Sequence, residues 1–162
     1  MDRVDRISAQ WQRERPEIDH DAMALIGRLS RLSRHLGQAM DKTFAAHDLN
    51  AASFDVLATL RRSGVPYRLS PGDLLATTMV TSGTMTHRID RLEREGLVTR
   101  IGNPEDARSV LIELTPEGRA RIDAAVTDHT ATQTRLAAGL TAEERAQMTG
   151  LLRKLLSGFE PG

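Results

Sequence analysis

Between Thr81 and Gly96 the chain reads Thr81-Ser82-Gly83-Thr84-Met85-Thr86-His87-Arg88-Ile89-Asp90-Arg91-Leu92-Glu93-Arg94-Glu95-Gly96. Thr81 or Ser82 is a candidate N-cap, Met85, Ile89 and Leu92 share one helical face, and Gly96 ends the run. The period then changes. Leu97-Val98-Thr99-Arg100-Ile101 and Val110-Leu111-Ile112-Glu113-Leu114 are β-branched, partly alternating runs on either side of Gly102-Asn103-Pro104-Glu105-Asp106-Ala107-Arg108. This pattern predicts a hairpin with a long polar tip. Two strands make no independent sheet, so the hairpin must lean on the preceding helices.

Upstream, Ser70-Pro71-Gly72-Asp73 combines a cap, a proline at the first helical position and an early acid, predicting a short helix that holds Leu74, Leu75 and Ala76. Asn50 caps the helix before it, which carries Phe54, Leu57, Ala58 and Leu60 and stops near Gly64. From Asp19 to about Phe44, Leu25, Leu29, Leu32, Leu36 and Met40 form one stripe of a long amphipathic helix. Pro16 separates it from a short helix over residues 3–14 that holds Trp11. Downstream, Thr115-Pro116-Glu117-Gly118 opens a helix reaching about Ala138. Thr141 and Glu144 form a capping box for the last one, with Met148, Leu151, Leu152, Leu155, Leu156 and Phe159 on one face.

Composition narrows the function. Of 162 residues, 40% are hydrophobic but only 3% aromatic, which suits helix-on-helix packing, so the expected class is mainly α with a small β-hairpin. With no cysteine, thiol nucleophiles, disulfides and thiolate metal sites are excluded. The five histidines are scattered, and no H-E-x-x-H, phosphate loop or G-x-S-x-G turn occurs, so neither an enzyme nor a cofactor is expected. No apolar window has membrane-spanning length and the N-terminus lacks a signal peptide's apolar core, so a soluble cytoplasmic protein without membrane contact is expected. Lys plus Arg and Asp plus Glu are 22 each, so any polyanion surface must be local. Between Arg61 and Arg100 seven arginines face four acids, a surplus of three.

Three short helices followed by a hairpin make a winged helix-turn-helix arrangement. Its third helix enters the DNA major groove, about 12 Å wide, and its hairpin reaches backbone or minor groove. Ser82, Gly83, Thr84 and Thr86 are small or hydroxylic and can approach phosphates closely, while His87, Arg88 and Arg91 reach further. By composition alone the same residues equally serve to cap an ordinary helix. Arg108 suits a narrow minor groove, and Asp106 two residues earlier is placed to orient it through a bidentate pair. As an exposed ion pair alone, these two decide nothing.

Phe54-Asp55-Val56-Leu57, Leu69-Ser70-Pro71, Ser82-Gly83-Thr84-Met85-Thr86, Arg91 through Arg100, Asp106-x-Arg108 and Leu114-Thr115-Pro116-Glu117-Gly118 together resemble the MarR family of transcriptional regulators, over nearly the whole chain. The resemblance implies a homodimer whose N- and C-terminal helices interdigitate, acting on a pseudo-palindromic operator in double-stranded DNA. The DNA-contacting residues it implies are Ser70, Ser82, Gly83, Thr84, Thr86, His87, Arg91, Asp106 and Arg108. Residues 1–47 are then an extra helix plus a dimerisation helix, 48–115 the DNA-binding lobe and 116–162 the closing dimerisation helices. Many family wings carry two adjacent arginines and a glycine after the aspartate. Here the tip reads Asp106-Ala107-Arg108-Ser109, which implies somewhat weaker nonspecific binding.

Trp11 on an additional helix, followed by Arg15-Pro16-Glu17-Ile18-Asp19 and Gly27-Arg28-Leu29, resembles a subgroup that responds to urate or related purine-derived anions. That resemblance implies a ligand set of Trp11, Asp55, Arg88 and Arg100. The chemistry is consistent: an indole stacks on a flat heterocycle and arginine pairs with an anion. Each residue also has a plain role in packing, on a surface or against phosphate. The expectation is a ligand-responsive DNA-binding regulator, a repressor in the first instance. The rivals are a ligand-independent regulator, a winged-helix protein–protein adaptor, and a metal-responsive regulator, the last disfavoured without cysteine.

Overall fold

The computed structural model describes residues 1–78, 85–104 and 106–159, with only the backbone of Ala107. Its elements are α1 (Arg3–Glu14), α2 (His20–Ala45), α3 (Ala51–Arg62), β1 (Arg68–Leu69), α4 (Pro71–Thr77), α5 (Met85–Arg94), β2 (Val98–Asn103), β3 (Asp106–Leu114), α6 (Pro116–Leu136) and α7 (Ala142–Leu156). The chain divides into two compact units, Met1–Lys42 and Thr43–Gly162.

Side-chain caps start most helices. Asp2 and Asp5 form a capping box on α1, Asn50 accepts from the Ser53 N–H, Ser70 from Asp73, Thr115 from Gly118, and Thr141 and Glu144 cap each other. In the first unit Arg28 of α2 pairs with both Asp2 and Asp5, and Val4 is buried against Gly27.

The core of the second unit joins Val56, Leu57 and Leu60 of α3, Leu74 of α4, Met85, Ile89 and Leu92 of α5, Leu97, Val98, Ile112 and Leu114 around the strands, and Ile122 of α6, all buried. At roughly 1.5–3 kcal/mol for each large side chain removed from water, this cluster is what holds the short helices to the wing. Phe44, Phe54 and His129 extend it, with the two phenylalanine rings stacked at 4.4 Å and His129 about 5 Å from each (5.1 and 4.9 Å).

The sheet has three strands in the order β1-β3-β2, all antiparallel, rather than the two expected. β1 is two residues long, pairing Arg68 with Glu113 and Leu69 with Ile112. It covers the edge of β3 that a bare hairpin would leave open. The long polar tip is also corrected: both strands run further, and Asn103 pairs with Asp106.

No residue of α7 is buried: Leu151, Leu155 and Leu156 are exposed by 70%, 41% and 51%, and Phe159 just beyond the helix by 78%. Met23, Leu25, Ile26 and Leu32 of α2 are likewise exposed. Among the described residues no helix is long and apolar enough to cross a membrane.

Candidate nucleic-acid interface

The joint between α5 and β2 sets the interface. Gly96 has φ +72°, its N–H donates to the Glu93 carbonyl at 3.0 Å, and the Leu97 N–H donates to the Leu92 carbonyl at 2.9 Å. This is a Schellman closure, with glycine in the left-handed conformation that side chains resist. The Thr115 N–H then donates to the Leu97 carbonyl at 3.1 Å, and the Thr115 hydroxyl donates to the Gly96 carbonyl at 2.6 Å. Gly118 passes so close that a Cβ there would stand 1.9 Å from the Leu97 oxygen. The run Leu114-Thr115-x-x-Gly118 is therefore a backbone-to-backbone seat that holds the start of β2 against α6.

From that seat α5 turns Met85, Ile89 and Leu92 inward, leaving Thr86, His87, Arg91 and Arg94 exposed. Arg91 is paired with Glu95 one turn on, at 2.7 Å. Ser82, Gly83 and Thr84, with the cap candidates Thr81 and Ser82, lie outside the described residues. Ser70 is the working cap of α4: its hydroxyl accepts from the Asp73 N–H at 3.1 Å and donates to the Asp73 carboxylate at 2.7 Å. Arg62 of α3 donates to the Thr77 carbonyl at 2.7 Å, closing the far end of that helix.

Arg108 lies within β3, not on a free loop. The ladder steps from Gly102 opposite Val110 to Asn103 opposite Asp106, so residues 107–109 bulge out of register. Bulges re-aim side chains, and here the Arg108 side chain is exposed. Three hydrogen bonds hold the bulge: the Arg108 N–H donates to Asp106 Oδ1 at 3.0 Å, the Ser109 hydroxyl to the Asp106 carbonyl at 3.1 Å, and Asn103 Nδ2 to the Ser109 oxygen at 2.9 Å. The bidentate Asp106–Arg108 pair is thus replaced by a local carboxylate-to-backbone bond, the arrangement that short acidic side chains favour in turns. Asn103 and Ser109 were missed by sequence reading. Their signal, two short polar residues flanking the Asp-x-Arg run, acquires meaning only when the strands pair.

The residues of the ligand set fall in different units. Trp11 belongs to the first and is 42% exposed on α1. In the second unit, Asp55 is half-buried on α3, and Arg88 is half-buried on α5, with Nη1 shielded and lacking a hydrogen-bond partner among the described residues. Arg100 is engaged by Asp90 and Glu93. The hydrogen bond to Asp90 and the charge of Glu93 hold its guanidinium above the ordinary arginine value despite partial desolvation. Much of the arginine surplus is similarly spent: Arg61 pairs with Asp123 and Arg68 with Glu113.

A capped short helix, a second helix with a polar outer face and a three-stranded wing carrying an exposed arginine define a winged helix-turn-helix DNA-binding protein. The model of the MarR family matches residues 49–110. The HTH-type transcriptional regulator PecS of Dickeya dadantii is 40% identical over 152 residues, covering 94% of this chain and 92% of that protein. The chain belongs to the MarR family, a family of transcriptional regulators rather than enzymes. Among solved structures, a mutant MarR from Escherichia coli complexed with operator DNA matches with a TM-score of 0.71 at 28% identity, over 90% of this chain and 97% of that one. BpsR of Bordetella bronchiseptica, described as regulated in its DNA binding by 6-hydroxynicotinic acid, matches at 0.70 and 31% identity, over 80% of this chain and 90% of that one.

Proposed function

We propose that this regulator is a homodimeric repressor that reads a pseudo-palindromic operator with one lobe per half-site and releases it on binding a small anionic aromatic ligand, urate and purine-type anions being the favoured class. The observation that carries the DNA reading is the bulge that Asp106 holds, with Arg108 exposed on it and α5 offering Thr86, His87 and Arg91. Ser70, Ser82, Gly83 and Thr84 complete the proposed contacts. Residues 48–115 are the reading lobe in this proposal, with 1–47 and 116–162 serving dimerisation. The exposed leucines of α7 support a second copy as partner, since a wholly uncovered apolar helix face is costly in water.

The sensing half rests on Arg88, whose shielded Nη1 lacks a hydrogen-bond partner among the described residues and which sits on the same helix as the proposed DNA contacts. It is also supported by the aromatic acid that regulates DNA binding in BpsR. Trp11, Asp55, Arg88 and Arg100 are the proposed ligand residues, and an anion reaches Arg100 only by competing with Asp90 and Glu93. A ligand shifts DNA affinity only through different affinities for two conformations, so the test reads both binding events.

The experiment is a gel-shift titration on DNA upstream of the protein's own gene, at two salt concentrations, with and without urate. Tight, salt-sensitive binding relieved by urate is expected. Binding indifferent to urate leaves the ligand-independent regulator. Failure to bind any duplex pool overturns the DNA reading in favour of the adaptor.

A further inference from the structure

Arg100 is the third residue of β2, paired in register with Ile112, and its guanidinium reaches back across the Gly96 turn to two carboxylates of α5. Asp90 meets one terminal nitrogen and Glu93, three residues further along the helix, meets the other. The Arg100 N–H also donates to Glu93 Oε1 at 3.1 Å. Neither carboxylate belongs to the apolar core, and neither is among the proposed DNA contacts.

We propose that Asp90 and Glu93 are positioning residues for DNA binding: through Arg100 they brace the wing at a set angle to the reading helix. The Gly96 closure and the Thr115–Gly118 seat attach β2 at its beginning. With the buried Val98, Ile112 and Leu114 these hold the base of the wing, and the Arg100 tie adds a polar attachment further out that resists bending of the strand beyond it. At about 3.3 Å per residue, the five steps from Val98 to Asn103 put the wing tip some 16 Å from that base. A swing of about 10° therefore displaces the tip by nearly 3 Å, the length of a hydrogen bond. The planar guanidinium fork, held at two nitrogens by carboxylates from successive positions on one helix face, resists that swing better than a single flexible pair.

This inference rests on the reading of the wing as a DNA contact, and the test separates the two. Operator affinity is measured for the full-length protein, for Asp90→Asn with Glu93→Gln, for Arg108→Ala, and for the three changes together. Removing two negative charges beside DNA strengthens binding if long-range electrostatics alone acts. The brace predicts the opposite sign: about a tenfold loss of affinity with Arg108 present and less than about a twofold further loss once Arg108 is gone, the non-additivity expected of residues acting as a unit. Hydrogen exchange at the Arg100 amide should accelerate in the double variant. Unchanged or stronger binding by the double variant, or an equal loss in both backgrounds, overturns the brace while leaving the wing reading intact. If Arg108→Ala alone costs no affinity, the wing reading fails and takes the brace with it.

Discussion

Replacing Gly118 by alanine tests whether the seat between α6 and β2 is as tight as its geometry requires. The added methyl would lie 1.9 Å from the Leu97 carbonyl oxygen, 2.8 Å from its carbon and 3.1 Å from its Cα, all backbone atoms that no rotamer change can move. Restoring ordinary contact needs a shift of roughly 1.5 Å, well beyond what a close-packed interior absorbs. That shift also strips the Thr115 bonds to Leu97 and Gly96 and the cap on the Gly118 N–H, at 3.1, 2.6 and 2.9 Å. Overpacking costs about 1–3 kcal/mol and a lost N-cap about 1 kcal/mol, while alanine in a helix recovers about 1 kcal/mol over glycine. The net expectation is a destabilisation of about 1–3 kcal/mol, or roughly 2–12 °C in melting temperature for a chain of this length. Circular dichroism melts at one fixed chain concentration measure it, the concentration being held because association shifts the midpoint. Gly72→Ala in α4 is the control, since its nearest neighbour would be Ser70 Oγ at an ordinary 3.7 Å. If Gly118→Ala melts at or above the parent protein, the seat is not rigid and the explanation of this motif is wrong.

Other consequences follow from single contacts. Arg108→Ala is expected to weaken operator binding by about 1–3 kcal/mol and leave the melting temperature nearly unchanged, because the side chain is exposed; titration against labelled operator checks it. Burial holds the His129 imidazole below its ordinary value of 6.5. The unfolded chain thus takes up the proton first, and stability should fall as pH drops from about 6.5 toward the lowered folded value, a slope that denaturant titrations should find missing in His129→Gln. Placing a charge on α7, as Leu155→Glu, should turn a dimer into a monomer in sedimentation experiments, whereas an unchanged sedimentation coefficient would move the dimer contact away from that face.

Much of the chain was legible from short-range chemistry. Asn50, Ser70, Thr115 and the Thr141–Glu144 box mark helix starts because a cap bonds an N–H only three residues ahead, so the signal and its effect share one stretch of sequence. Gly96 announced the end of α5 for the same reason, and the change from helical to alternating period located the wing. β1 was illegible. Two residues carry no period, and Arg68-Leu69 becomes a strand only because β3 presents a free edge to it.

For the interface the division runs along the same line. Residue types and spacing determined which helix faces outward and that an arginine would stand near the end of the wing. What holds that arginine was decided by the fold. Asp106 bonds the Arg108 backbone once the ladder slips by three residues, and Gly118 is required once α6 crosses the Leu97 carbonyl. Arg100, readable beforehand as a ligand residue or a solvated strand position, acquires Asp90 and Glu93 when β2 folds back beside α5. Caps, periods and turns are set by neighbours in the chain. Seats, bulges and braces are set by which backbones meet in space, and only the tertiary structure brings those together.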